Sequence, residues 1–174
     1  MVRLILNEEH LAGALTEALS GCRHRLFIAT ADVKDVHLPS AGGRARSIVD
    51  VFADLSDRGV EVRLLHSGVP SGPLLAELKR RVPPTLTMRR CPRIHAKVLI
   101  ADGRRMYLGS ANLTGAGLGA KSPRRRNFEA GVWTDEAAFI DSVADMLDAV
   151  FTGAECARCG RKQHCPVPLE EPDL

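Results

Sequence analysis

Apolar residues recur along this chain with two spacings that take turns, and the alternation predicts the order of elements. Leu11, Leu15, Ala18 and Leu19 repeat at helical spacing, so Asn7 to Cys22 is expected as a helix with Asn7 as its cap. Arg25 to Thr30 reads as a short buried strand, and Ala31 to Gly43, with Pro39 and Gly42-Gly43, as a loop. Ile48, Val49, Phe52 and Leu55 then form the apolar stripe of a helix that stops at Gly59. Val60 to Leu65 is a strand, and Gly72 to Arg81 is a short helix ended by Pro83-Pro84. Thr85 to Arg89, Ile94 to Ala101 and Met106 to Gly109 follow as strands, the last two joined by a tight Asp102-Gly103 turn. Asn127 to Thr134 is a further strand and Asp135 to about Phe151 a helix.

Helices and strands that alternate early, followed by a strand-rich middle, imply an α/β domain with one mixed β-sheet and helices on both faces. The expected organisation is one catalytic domain over residues 1–152 and a short Cys-rich tail over 153–174. No apolar stretch approaches the roughly 18 residues that suggest a membrane span. The apolar patch in MVRLILNEEHLAG is too short for the core of a signal peptide and meets acidic residues at once. A soluble, cytoplasmic protein with no membrane partner is expected.

Charge sharpens the picture. Net charge is only +3, but 19 of the 24 basic residues are Arg, and Lys79 to Arg126 holds 13 basic residues against the single acid Asp102. That segment carries +12 and the remainder −9. Guanidinium forks pair with phosphate oxygens, so the segment suits a phosphate-bearing polymer; the competing reading is that these arginines pair with acids elsewhere on the chain. Aromatic residues make up 4% of the chain, too few for a base-stacking platform.

The most informative stretch is Ile94-His95-Ala96-Lys97-Val98-Leu99-Ile100-Ala101-Asp102. In a strand, His95 and Lys97 face the same way about 7 Å apart. The next strand runs into Gly109-Ser110-Ala111-Asn112, and Asn127 and Glu129 share one face of a third. These side chains are expected to converge at adjacent strand ends. The set suits phosphodiester chemistry: an imidazole attacks phosphorus, Lys and Asn hold the non-bridging oxygens, and a carboxylate fixes the imidazole tautomer. A lone H-x-K would ordinarily be a salt-bridged surface strand, and the wider spacing changes that reading.

His95-x-Lys97-x4-Asp102-x6-Gly109-Ser110-x-Asn112 resembles, without a gap, the HKD motif of the phospholipase D superfamily. Asn127-Phe128-Glu129 resembles the N-x-E segment that follows it there. The resemblance covers Ile94 to Val132 closely and points to single-motif, nuclease-like members. It implies His95 as nucleophile, Lys97 and Asn112 as phosphate ligands, Ser110 as polar support and Glu129 as the group that orients His95. Asp102 is expected to be structural. No other histidine is followed two residues later by Lys. Since one imidazole cannot flank phosphorus on both sides, a homodimer with the site on its twofold axis is expected.

The expected activity is metal-independent cleavage of nucleic acid through a covalent phosphohistidine, with Arg93, Arg124, Arg125, Arg126 and Asn127 meeting substrate phosphates and Arg89 and Arg90 nearby. The alternatives are a non-catalytic or weakly active nucleic-acid-binding subunit, for example of a bacterial defence system, and a phospholipase. A lipase would need an interfacial helix or apolar platform, and only a small lip from Leu113 to Leu118 offers one.

Five cysteines remain to be explained. Their odd number and the Cys156-Ala157-Arg158-Cys159 spacing argue against a disulfide framework. Cys156, Cys159 and Cys165 need a fourth ligand for a closed site. Cys91 is the preferred candidate and Cys22 the reserve, because His164 adjoins Cys165 too closely to share its ion. A structural metal at a site of four cysteines is expected, zinc slightly ahead of [4Fe–4S], with free or redox-active thiols as the remaining reading.

Overall fold

A computed structural model describes residues 1–40 and 44–174; the expected Gly42-Gly43 part of the first loop lies outside the described residues. Nine strands and four α-helices are described, in the order β1 (Val2–Leu6), a π-helical turn (His10–Leu15), α1 (Thr16–Gly21), β2 (Arg25–Thr30), β3 (His37–Leu38), β4 (Arg46–Ser47), α2 (Ile48–Asp57), β5 (Glu61–His66), α3 (Gly72–Arg80), β6 (Leu86–Arg90), β7 (Lys97–Ala101), β8 (Arg105–Gly109), β9 (Ala130–Thr134) and α4 (Ala137–Phe151). Seven strands form one mixed sheet in the order β1-β9-β8-β7-β2-β5-β6. β2, β5 and β6 run parallel, and the ladders from β2 through β7, β8 and β9 to β1 are antiparallel. The expected mixed α/β sheet is present.

The two faces are covered unequally. Leu15, Leu19, Val49, Phe52, Leu55, Leu74 and Leu78 pack from α1, α2, α3 and the preceding turn onto Leu26, Leu64, Leu99, Tyr107 and Trp133. The opposite face has only α4, whose Ile140, Leu147 and Phe151 cover Phe27, Ala29, Leu65, Val98, Ile100 and Met106. Each such large apolar side chain contributes about 1.5–3 kcal/mol on full burial. α4 does not reach the β1 side. There Val2, Leu4, Leu6 and Leu108 stay exposed on the face shared with Val132.

Several boundaries differ from the sequence reading. β1 is an edge strand where the sequence shows only an apolar patch, because Ile5 alone of its residues is buried and the alternation has no polar face. Asn7 does not cap the first helix. It takes φ +47° in the turn after β1, and Glu9 occupies the helix N-cap without a side-chain hydrogen bond. The helix itself begins as a π-turn. Within the expected first loop, His37–Leu38 pairs with Arg46–Ser47 as a two-residue ladder.

Asp102 shows why the hairpin between β7 and β8 is so sharply set. Asp102 and Gly103 both have positive φ, as a type I′ turn requires, and Arg104 N donates to Ala101 O at 3.0 Å. The Asp102 carboxylate accepts the backbone N–H groups of Arg23, His24 and Arg25 at 2.7–2.9 Å, and the Cys22 thiol at 3.4 Å. It thereby ties the hairpin to the start of β2. Burial pushes this carboxyl up, but the backbone donors more than offset that and hold it below its ordinary value. Its stabilisation is therefore present at neutral pH and lost as pH falls through the depressed folded-state pKa. Asp102→Ala is expected to lower unfolding free energy by about 3 kcal/mol at neutral pH. In chemical denaturation, the gap from wild type should narrow in acid.

Candidate active site

The start of β7 and the end of β8 meet at one end of the sheet, beside the C-terminal ends of β2 and β5. His95 lies just outside β7, which begins at Lys97, and Asn127, Phe128 and Glu129 likewise precede β9. The expected strands thus start later, so strand alternation is not what brings His95 and Lys97 together. A hydrogen bond does: Lys97 Nζ donates to the His95 carbonyl at 2.8 Å and stands 3.2 and 3.3 Å from the two ring nitrogens. Lys97 is only 8% exposed, whereas His95 is exposed. Burial pulls the Lys97 ammonium below its ordinary pKa, and the Glu129 carboxylate works in the other direction. An imidazole open to solvent beside a partly desolvated cation is a place where an incoming anion is attracted.

The other residues form a linked set. Ser110 donates its hydroxyl to Glu129 and accepts the Ala130 N–H at 3.0 Å. Asn127 Nδ2 donates to Glu129 Oε1 at 2.9 Å. Both carboxylate oxygens are thereby engaged. Among the described residues no hydrogen bond joins Glu129 to His95, so the orienting role expected of Glu129 is not visible within one chain. Asn112 turns its Oδ1 to the Ala31 and Asp32 N–H groups, both at 3.1 Å, and to Thr30 Oγ1 at 3.2 Å. Two backbone donors at that end identify it as the oxygen, which leaves Nδ2 to donate.

Two supports escaped the sequence reading. Asn7 clamps Glu129 through a pair of hydrogen bonds: Asn7 N donates to Glu129 O at 3.0 Å, and Glu129 N donates to Asn7 Oδ1 at 3.2 Å. An Asn closing an apolar run is the available signal, since Asn tolerates the left-handed region. Tyr107 lies across the paired Gly109 and Gly131, where any Cβ would collide with its ring or hydroxyl. Its hydroxyl accepts the Ala111 N–H at 3.2 Å and so holds the turn that carries Ser110 and Asn112. Burial, with Glu129 contributing, pushes the Tyr107 hydroxyl up to about 12.

The arginines separate into two groups. Arg124 and Arg125 are exposed, with no ion pair among the described residues. Arg126 pairs with Glu8 at 3.0 Å, Arg90 with Glu170 at 3.0 Å and Arg89 with Glu171 at 3.5 Å. The alternative reading of the basic segment therefore holds for these three. Arg93 donates to Cys159 Sγ of the tail at 3.5 Å. The apolar lip expected at Leu113 to Leu118 is absent from the surface, because both leucines are buried in the core.

Cys91, Cys156, Cys159 and Cys165 line one cavity of about 560 Å³ between the tail and the connection from β6 to β7. Cys22 lies elsewhere, buried against Asp102, and burial pushes its thiol up to about 11, which removes the reserve ligand. Among the described residues, no three His, Cys, Asp or Glu side chains are arranged to hold a single metal ion. No helix among them is long and apolar enough to cross a membrane.

The family model described as the cardiolipin synthase, phospholipase D-like domain matches residues 15–151. No curated protein matches the sequence. Among solved structures, NucT from Helicobacter pylori is similar, with a TM-score of 0.62 at 16% identity, over 84% of this chain and 92% of that one. Nuc from Salmonella typhimurium, a phospholipase D family member, also has a TM-score of 0.62, at 17% identity over 84% of this chain and 90% of its own. The archaeal chromatin protein TrmBL2 has a TM-score of 0.54 at 18% identity, over 84% of this chain and 50% of that protein. At these identities the likeness is one of fold, whereas the family match spans the helices, the sheet from β2 onward and every residue of the motif: the chain belongs to the phospholipase D-like family.

Proposed function

We propose that the protein is a phosphodiesterase that cleaves nucleic acid without a catalytic metal, through a phosphohistidine at His95 in a site shared by two copies of the chain. The observation that carries this reading is the exposed His95 imidazole beside the buried Lys97 ammonium, within the motif that the family match encloses. A His95 ring nitrogen attacks phosphorus and the bond to the leaving oxygen breaks. Lys97 and Asn112 Nδ2 hold the non-bridging oxygens as charge develops on them. The leaving alkoxide takes its proton from the partner subunit's His95. Water then attacks phosphorus, the P–N bond to His95 breaks, and the water proton passes to the partner's His95, which restores both rings.

The second copy is supported by the part of the sheet that α4 leaves bare. Leu4 is paired with Val132, Leu6 with Ala130 and Leu108 with Val132, so these side chains form one apolar surface next to Glu129 and Ser110. Leu4 is 61% exposed and Phe128, beside the site, 94%. An apolar sheet face continuous with a half-complete site is what a twofold interface between copies requires, since a self-complementary patch can then set two His95 rings across one phosphate. Nucleic acid is favoured as substrate by the exposed Arg124 and Arg125 on the loop leading into Asn127. A second reading, binding without cleavage, is favoured by the similarity of fold to TrmBL2, whose structure is described as showing a novel mode of DNA binding.

With chelator present, single-stranded or duplex DNA or RNA is expected to be cleaved by the wild type and at least about a thousandfold more slowly by His95→Ala, while binding persists. Binding without cleavage by the wild type would select the second reading, and hydrolysis confined to phospholipid would select a lipase. Leu4→Arg combined with Leu108→Arg is expected to convert the dimer to monomer in analytical ultracentrifugation and to abolish cleavage. Full activity in a wild-type monomer would overturn the shared site.

A further inference from the structure

The cysteine cavity is separate from the His95 site and serves no step of the chemistry above. Its four thiols come from two distant stretches of chain. Cys91 is fixed just after β6, where its N–H donates to His66 O at 2.8 Å and its carbonyl accepts Ile94 N at 3.0 Å. Cys156, Cys159 and Cys165 come from the tail, where Cys156 N donates to Gly153 O at 2.9 Å and Cys159 N to Cys156 O at 3.2 Å. The tail is drawn back onto β6 by Arg90 N donating to Glu170 O at 3.0 Å and by the Arg90–Glu170 ion pair. Ile94, Met146 and Val150 supply apolar wall.

How the thiols are grouped bears on what would bind them. Around one tetrahedral zinc, with Zn–S about 2.3 Å, neighbouring sulfurs lie about 3.8 Å apart and the site has no interior. Here the four thiols are spread among the walls of one cavity that other side chains also line, and no three of the candidate ligands among the described residues are gathered as one ion needs. A cubane cluster holds its four cysteine sulfurs farther apart, at the corners of a larger body, so ligands spread around one cavity suit it better than they suit one ion. The C-x2-C spacing and the Pro166 that follows the last cysteine are two features shared with cluster-binding runs, although the five residues between Cys159 and Cys165 are a longer gap than those runs have. Arg93, donating to Cys159 Sγ at 3.5 Å, supplies the positive partner that a cluster with four thiolates, an anion, calls for.

We infer that Cys91, Cys156, Cys159 and Cys165 hold a [4Fe–4S] cluster, which fastens the C-terminal tail to the segment leading into His95. This replaces the preference for zinc that the sequence alone suggested.

The test is purification of the full chain without oxygen, followed by iron, acid-labile sulfide and zinc analysis, with reconstitution from ferrous iron and sulfide if the protein emerges metal-free. The expected result is a brown protein with iron and sulfide in equal amounts, about four of each per chain, and a broad blue-violet absorption. Cys156→Ser and Cys91→Ser should each lose that absorption, whereas Cys22→Ser, outside the cavity, should keep it. Zinc bound tightly in place of iron, or a folded wild type that takes up no cluster on reconstitution, would overturn the assignment. Because the wild-type analysis stands alone, a Cys91 variant that fails to fold does not blunt the test. Nor does the outcome depend on whether His95 cleaves nucleic acid.

Discussion

An ammonium group taken out of water must be surrounded by oxygen or by negative charge, and the structure around Lys97 answers that demand. The ammonium donates to the His95 carbonyl, lies against the imidazole and feels the Glu129 carboxylate, yet burial still lowers its pKa. The cation is thus held but incompletely neutralised, on the side where His95 is open to solvent. A phosphate oxygen entering there would complete the set of partners. Much of the surrounding hydrogen bonding maintains this geometry: Ser110 and Asn127 fix Glu129, Asn7 fixes its backbone, and Tyr107 fixes the turn through Ala111.

The asymmetric covering of the sheet connects this site to the rest of the molecule. Three helices cover one face, and a single α4 covers only the middle of the other. The uncovered strip runs along β1, β9 and β8 to the end of the sheet where Ser110 and Glu129 emerge. An element able to bury it would lie beside Ser110 and Glu129. The N-terminal strand is therefore part of the site's architecture: Leu4 and Leu6 supply apolar surface, and the residue that ends the run, Asn7, holds Glu129.

Much of the fold was legible in the chain, because the central strands are short apolar runs, the helices carry a period near four, and Gly or Pro lies in several of the connections. β1 was not, since Val2, Leu4 and Leu6 face outward as apolar residues and leave no polar side to mark an alternation. The motif's members were legible by type and spacing, including the structural part played by Asp102. Their partners were less so. Arg93 and Arg126 find Cys159 and Glu8 across long sequence separations, and Glu129 finds Ser110 and Asn127. Such pairings depend on which loops fold back, and hydrophobic periodicity says nothing about that. The cysteine tail was legible as a cluster of ligands, but the gathering of its thiols with Cys91 around one cavity exists only in three dimensions.

One bond decides the proposed chemistry, that between a His95 ring nitrogen and phosphorus. It is tested most directly by denaturing the protein in alkali, where a phosphoramidate survives, during turnover of an end-labelled oligonucleotide, and locating the label by peptide mass spectrometry. The expected result is a nucleotide adduct on the peptide that contains His95, formed and consumed at the rate of turnover. An adduct on any other side chain, or steady turnover in which no adduct forms, would contradict it.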